Sequence, residues 1–291
     1  MTERGNVLAV DIGTSATKAV LFDGQGRILS LARRAYPMLT PRPDWAEQDP
    51  TVVYPAVLEA IREAHQRRPA GCAVDALAFS AQWYSTMPVA SDDRALSPYL
   101  TWSDRRSAAI ADGLRRSEAG RRIYRATGCP LDAIYPLSKI AWLRRADLPA
   151  RPVRFVSIKE YVFRRLFGEY AVDWSMASST GLFDIHRRDW APDALQAAGV
   201  DRTQLSTPVS PYQTFTRWTA EALARTGVPQ GLPCVIGAGD GVLSSVGVGA
   251  VGQGIAAVNV GTSAACRYLI RTPTVDAKER LWTYALDEHW W

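Results

Sequence analysis

The chain has 291 residues, with 47% hydrophobic and 22% charged side chains. That composition supports one large or two smaller packed domains and excludes wholesale disorder. The net charge is +5, and its 34 basic residues are nearly all arginine, since Lys18, Lys139, Lys159 and Lys278 are the only lysines. They are spread along the chain, without the dense basic stripe of a nucleic-acid binder. Cys72, Cys129, Cys234 and Cys266 form no C-x-x-C pair, and His65, His186 and His289 are scattered, so neither a zinc knuckle nor a disulfide framework is indicated. The N-terminal MTERGNVLAVDIG lacks the form of a signal peptide. The uncharged interval between Asp240 and Arg267 is broken by too many glycines for a membrane span. A soluble cytoplasmic protein is expected.

Taken in chain order, the first element is a hairpin. LAVDIGTSATKAVLF (8–22) is two apolar runs around a Gly-Thr-Ser turn. Asp49 to Arg67 has Pro50 near its start and Val53, Val57 and Ile61 on one helical face. Residues 72–81 predict a buried strand. Helices are expected over Ala108–Tyr124, Leu137–Arg145 and Ser157–Phe167, and a second buried strand over Leu232–Gly237. A turn of small residues follows at 237–241, then a Gly-rich stretch over 241–254 whose valines fit a packed helix between two lobes. Strands alternating with helices define an α/β class.

The final element repeats the first. AAVNVGTSAACRYLI (256–270) aligns with 8–22, with Ala9, Val10, Gly13, Thr14, Ser15 and Ala16 meeting Ala257, Val258, Gly261, Thr262, Ser263 and Ala264. Six identities with matching apolar flanks favour duplication over two unrelated hairpins. The copies differ where chemistry would sit: Asp11 becomes Asn259 and Lys18 becomes Cys266. Glycine admits close approach of an anion, and successive N–H groups with Thr or Ser hydroxyls can cradle phosphate oxygens. Two such turns, one acidic and one neutral, point to two lobes closing on a nucleotide polyphosphate. No G-x-x-x-x-G-K-[ST] motif is present, which excludes a Walker-type ATPase.

These residues resemble the FGGY family of carbohydrate kinases. DIGTSATK (11–18) is similar to its first phosphate motif, TWSDRRS (101–107) to its sugar-contacting segment, YPLSKIAWLR (135–144) to its first signature, and GAGDG (237–241) to its catalytic-aspartate turn. Within the family, SIKEYVFRRLFGEY (157–170) and DWSMASSTGLFDI (173–185) look most like gluconate kinases, with xylulose kinases next. The resemblance implies a duplicated ribonuclease-H-like, actin-like fold. Residues 1–245 would form a sugar-binding N-terminal domain, and 246–291 the start of a nucleotide-binding C-terminal one. Relatives continue for a whole second lobe, so a truncated kinase is expected. Where the family often has Met-His to hold the sugar, this chain has Trp83-Tyr84 after Gln82.

The resemblance assigns roles residue by residue. Asp240, between glycines after a buried strand, would be the base, although an aspartate there is also an ordinary turn former. Asp11 would hold Mg²⁺, and Gly13, Thr14, Ser15 and Lys18 would contact the phosphates of ATP from one side. Gly261 and Thr262 would serve the other side. Gln82, Trp83 and Trp102 would wall the sugar site. Asp104 would accept from sugar hydroxyls and Arg106 would pair with a carboxylate such as that of gluconate, with Arg105 its rival. Trp142 reads as core and His186 as structural. The expected activity is ATP-dependent phosphorylation of gluconate, with xylulose or another pentulose or polyol as the alternative. A non-catalytic sugar-binding fragment and an actin-like or Hsp70-like ATPase are the readings from other classes. Oligomeric state is left open, a homodimer included.

Overall fold

The computed structural model describes residues 5–260 and 264–291. The chain opens with β1 (Val7–Ile12), β2 (Ala16–Phe22), β3 (Ile28–Ala35) and β4 (Glu47–Gln48), then α1 (Pro50–Gln66) and β5 (Ala76–Ala81). A middle section follows with β6 (Met87–Val89), β7 (Tyr99–Leu100), α2 (Ala108–Arg115), α3 (Glu118–Thr127), α4 (Pro136–Leu143) and β8 (Arg154–Val156). Next come α5 (Ile158–Phe167), β9 (Ala171–Asp173), α6 (Trp174–Ser178), β10 (Phe183–Asp184), β11 (Asp189–Trp190), α7 (Pro192–Ala198) and β12 (Thr207–Val209). The last elements are β13 (Thr214–Phe215), α8 (Ala220–Thr226), β14 (Cys234–Gly239), α9 (Asp240–Gly247), β15 (Ala256–Val260) and β16 (Ala264–Tyr268).

The main sheet has the order β13-β14-β5-β1-β2-β3. β1, β2 and β3 form an antiparallel meander, whereas β5 and β14 run parallel to β1. Alternation explains the layering: Leu8, Val10 and Ile12 of β1 are buried, as are Leu77, Phe79 and Ala81 of β5, while the intervening positions are half-buried. The buried face packs on α1, whose Asp49 cap accepts from the Thr51 N–H at 2.8 Å and whose first residue is Pro50. Phe79 meets Phe163 of α5 edge to face at 5.1 Å. Because β1, β5 and β14 are parallel, their C-terminal ends lie side by side, and Asp11, Ser80 and Ala238 occupy one register level.

Both hairpins of the repeat form, as β1–β2 and β15–β16. They close differently. Asp11 faces Lys18 in the first, but Asn259 faces Ala265, not Cys266, in the second. The second closes one residue tighter, pairing Val260 with Ala264. Gly261, Thr262 and Ser263 of its turn lie outside the described residues.

The helix expected over 108–124 is two helices. Ser117 interrupts it, donating to the Leu114 carbonyl and accepting from the Gly120 N–H at 2.9 Å. Gly120 is required there, because a Cβ would lie 2.0 Å from the Leu114 oxygen. Of the Gly-rich stretch 241–254, expected as a packed helix, only 241–247 is helical, in α9, which begins at Asp240; residues 248–254 lie outside any helix. Among the described residues, no helix is long and apolar enough to cross a membrane.

Candidate active site

The C-terminal ends of β1, β5 and β14 are where an open sheet of this kind exposes a ligand site. Asp11, next to last in β1, is half-buried, and its carboxylate has no hydrogen-bond partner among the described residues. Asp240 is the first residue of α9, with its carboxylate accepting the Gly241 N–H at 2.8 Å. Its side chain reaches solvent, yet its pKa is pushed up to about 6. The protein packed around it raises the value most, and the like charge of Asp11 adds to it. The Gly241 and Trp83 N–H groups and the Arg267 charge oppose. Asp240 is thus a carboxylate able to take a proton near neutral pH.

The turn after β1 is anchored through its carbonyls. The Gly13 oxygen accepts from Tyr36 Oη at 2.8 Å, the Thr14 oxygen from Gln48 Nε2 at 2.8 Å, and the Ser15 oxygen from the Tyr36 N–H at 3.2 Å. The Thr14 and Ser15 N–H groups donate to no protein group among the described residues. With every carbonyl turned inward, these donors and the exposed Ser15 side chain form a concavity suited to an anion. Lys18 is exposed on β2, across from Asp11.

Gln82 supports this turn from below. It is 1% exposed, and its Nε2 lies within hydrogen-bond range of the Gly13 oxygen, Gln48 Oε1 and the Tyr99 hydroxyl. Its amide is consumed by protein, so the expected ligand contact is corrected to a positioning role. Trp83 is likewise buried, its indole N–H donating to Ser175 Oγ at 3.3 Å. It braces the Asp240 turn: a Cβ on Gly241 would come 2.1 Å from Trp83 Cζ3, and one on Gly239 1.7 Å from Nε1. Gly241→Ala should therefore cost about 1–3 kcal/mol by overpacking. Chemical denaturation checks this, and a midpoint equal to wild type would show that the indole is free to withdraw.

Two buried cations tie the surrounding loops together. Lys159 Nζ lies 2.6 Å from Asp173 Oδ2 and 3.4 Å from the Ala238 oxygen, two residues before Asp240. Lys139 Nζ donates to the carbonyls of Tyr84, Thr101 and Ile134, and burial pulls its pKa down to about 7 against the nearby charge of Asp104.

Asp104 and Arg106 are not placed to meet a ligand. Asp104 is 0% exposed, its oxygens accepting from Arg106 and from the Ala46 N–H at 2.8 Å. Arg106 also pairs with Glu47 at 2.6 Å, and its guanidinium carbon lies 3.5 Å from the Trp45 ring centroid and 5.2 Å from that of Trp142. A charge so fully partnered has nothing left to offer a substrate, and the pair fastens the 101–107 loop to β4. Arg105 is exposed and pairs with Asp132. Trp102 is 44% exposed, and its indole N–H donates to Thr14 Oγ1 at 3.2 Å. Trp142 packs edge-on against Trp45, and His186 shares a hydrogen bond with the Arg125 carbonyl.

Sequence reasoning missed an aromatic cluster behind Trp83. Tyr284 Oη donates to Tyr135 Oη at 3.0 Å and lies 3.0 Å from Tyr84 Oη, while its ring meets Trp83 edge to face. Tyr84 has φ +66°, an unfavourable conformation for a bulky residue. The only signal for it was the Trp83-Tyr84 departure from Met-His.

The sequence profile described as FGGY family of carbohydrate kinases, N-terminal domain, matches residues 6–247. A gluconokinase of Bacillus subtilis (strain 168) is 37% identical over 98% of this chain, and one of Bacillus licheniformis is 36% identical over the same share. Each alignment takes in 56% of the relative, so the chain spans little more than half the length of the curated relatives it matches. Structures described as a gluconate kinase and as a ligand-bound xylulose kinase, both from Lactobacillus acidophilus, each align with a TM-score of 0.93 and 29% identity. Both alignments cover 98% of this chain and 58% of the other. The equal figures mean that backbone likeness does not separate the two substrates. The parallel strand ends, the anchored Gly-Thr-Ser turn and the Asp240 turn thus sit on a matching fold, and the chain belongs to the FGGY family of carbohydrate kinases.

Proposed function

We propose that this chain provides the sugar-binding part of an ATP-dependent kinase acting on a sugar acid, gluconate first. The observation that carries the reading is Asp240: a carboxylate with its pKa pushed up to about 6, at the strand end beside Asp11 and the Thr14–Ser15 concavity. In this account Asp240 accepts the proton of the attacking hydroxyl as it closes on the γ-phosphorus. The N–H groups of Thr14 and Ser15 hold phosphate oxygens in line, with Lys18 adding positive charge. Trp102, exposed beside Thr14, offers an apolar face to the substrate.

Asp11 fits Mg²⁺ because its carboxylate is half-buried and without a partner among the described residues, and Mg²⁺ takes one or two carboxylates together with water and substrate phosphates. Among the described residues no group of three acidic, His or Cys side chains forms a metal cage, which agrees with a metal shared with nucleotide. When bound, Mg²⁺ would neutralise charge on the polyphosphate. Gly261 and Thr262 belong to this reading as the opposing phosphate contacts, with the boundary between the two lobes near residues 245–246 and the enzyme in the cytoplasm.

Xylulose is the second reading, favoured by the equal likeness to the structure described as a xylulose kinase. Calorimetry of the 291-residue chain against gluconate, xylulose, ribulose, glycerol and erythritol separates them. Gluconate should bind most tightly. Preference for xylulose would replace the substrate, and no binding of any sugar or polyol would remove the kinase reading for this chain.

A further inference from the structure

A cavity of about 390 Å³ lies between α9, β16 and the C-terminal segment, with Trp83 and Tyr284 in its wall. Its size falls in the ordinary range for small-molecule sites. The lining is mostly apolar, but two polar side chains enter it without partners among the described residues. Ser245 is 1% exposed and its Oγ is unsatisfied; the Nε of Arg267 is buried and unsatisfied. The other cations buried near this edge are all engaged, Lys139 by three carbonyls, Lys159 by Asp173, and Arg106 by Asp104 and Glu47. Among the described residues, the side chain of Arg267 has neither a hydrogen bond nor an ion pair, and its guanidinium carbon lies 5.8 Å from the Trp83 ring centroid. Arg267 is half-buried, but its Nε and the Ser245 hydroxyl are buried with no partner among the described residues, and such groups are costly unless a ligand completes them.

We propose that Arg267 and Ser245 recognise the anionic end of a sugar-acid substrate, Arg267 by a charge-assisted pair with its carboxylate and Ser245 by a hydrogen bond. The proposal rests on the sugar-acid reading above. Trp83 connects the cavity with the proposed reaction centre, because the same indole lies under Arg267 and against Gly239 and Gly241 on either side of Asp240. The charge of Arg267 is also felt at Asp240 and at Tyr84, where it favours the ionised forms. A planar guanidinium suits a carboxylate in a way that no neutral polyol can match. The residue thereby supplies a reason for a sugar acid to be chosen over its neutral relatives.

Calorimetry on the intact chain tests this with gluconate, its neutral counterpart glucitol, and Mg-ADP. Wild type should bind gluconate at least about 10-fold more tightly than glucitol. Arg267→Gln should bring that ratio to about one, and Arg267→Lys should keep part of it. Ser245→Ala should weaken gluconate about 3- to 10-fold. Melting curves of each variant establish that the fold is kept. A gluconate-to-glucitol ratio unchanged in Arg267→Gln overturns the proposal, as does a loss confined to Mg-ADP, which would assign the guanidinium to phosphate. Failure of the substrate reading shows separately, as wild-type protein that binds neither gluconate nor glucitol.

Discussion

Asp240→Asn should lower kcat by about 10²–10⁴-fold, the usual worth of a positioned general base. The substitution keeps the shape of the side chain and an oxygen to accept the Gly241 N–H, so folding and sugar affinity should stay near wild type. The assay belongs in protein extended to the length of its relatives, with sugar binding followed in the chain itself. The pH profile gives an independent check. Asp240 must be ionised to accept a proton, and its pKa is pushed up to about 6. In wild type, kcat/KM should therefore fall as pH drops through about 6, and Asp240→Asn should flatten that limb. Asp11→Asn should behave differently, losing activity that higher Mg²⁺ partly restores. A wild-type kcat with a raised KM in Asp240→Asn would mean that Asp240 holds sugar without taking its proton.

The largest effect on stability is expected at Lys159. Its ammonium is buried against Asp173, and burial lowers its pKa while Asp173 supports the charged form. Lys159→Met would leave Asp173 as an unpaired buried carboxylate, at a cost of about 3–5 kcal/mol. Asp173 also caps α6 through the Met176 N–H at 2.9 Å, so Asp173→Asn removes the charge while keeping a capping oxygen. The double variant Lys159→Met/Asp173→Asn should be more stable than Lys159→Met alone, because the stranded charge is gone. Urea denaturation of wild type, both single variants and the double variant reads this coupling. Additive losses would show that the two side chains do not depend on each other. Because Lys159 also approaches the Ala238 carbonyl, its loss should loosen the turn that presents Asp240.

The two hairpins and the Asp240 turn were legible in the sequence because their signals are local: a Gly-Thr-Ser turn between apolar runs, and an aspartate framed by glycines after a buried strand. The sugar segment was not. Within TWSDRRS, nothing local distinguishes the exposed Trp102 from the buried Asp104 and Arg106. Their burial depends on Trp45, Ala46 and Glu47, more than 50 positions away, which cover the loop from the other side. The burial of Gln82 is hidden in the sequence for the same reason, since its partners Gln48 and Tyr99 come from separate strands. Arg267 gave no signal at all, because its cavity exists only where α9, β16 and the C-terminal segment meet. The break between α2 and α3 turns on the contact between Gly120 and the Leu114 carbonyl. In the sequence it appears only as a serine and a glycine within an otherwise helical pattern.

Phosphoryl transfer from ATP to a sugar acid is the reaction proposed at the Asp240 edge. Its most direct test is product analysis after incubating the length-completed protein with gluconate and Mg-ATP, by mass spectrometry with ADP measured in parallel. Phosphogluconate and ADP should form in equal amounts, dependent on Mg²⁺ and nearly abolished by Asp240→Asn. ADP formed at the same rate without any sugar, and no phosphorylated gluconate, xylulose or polyol, would contradict it.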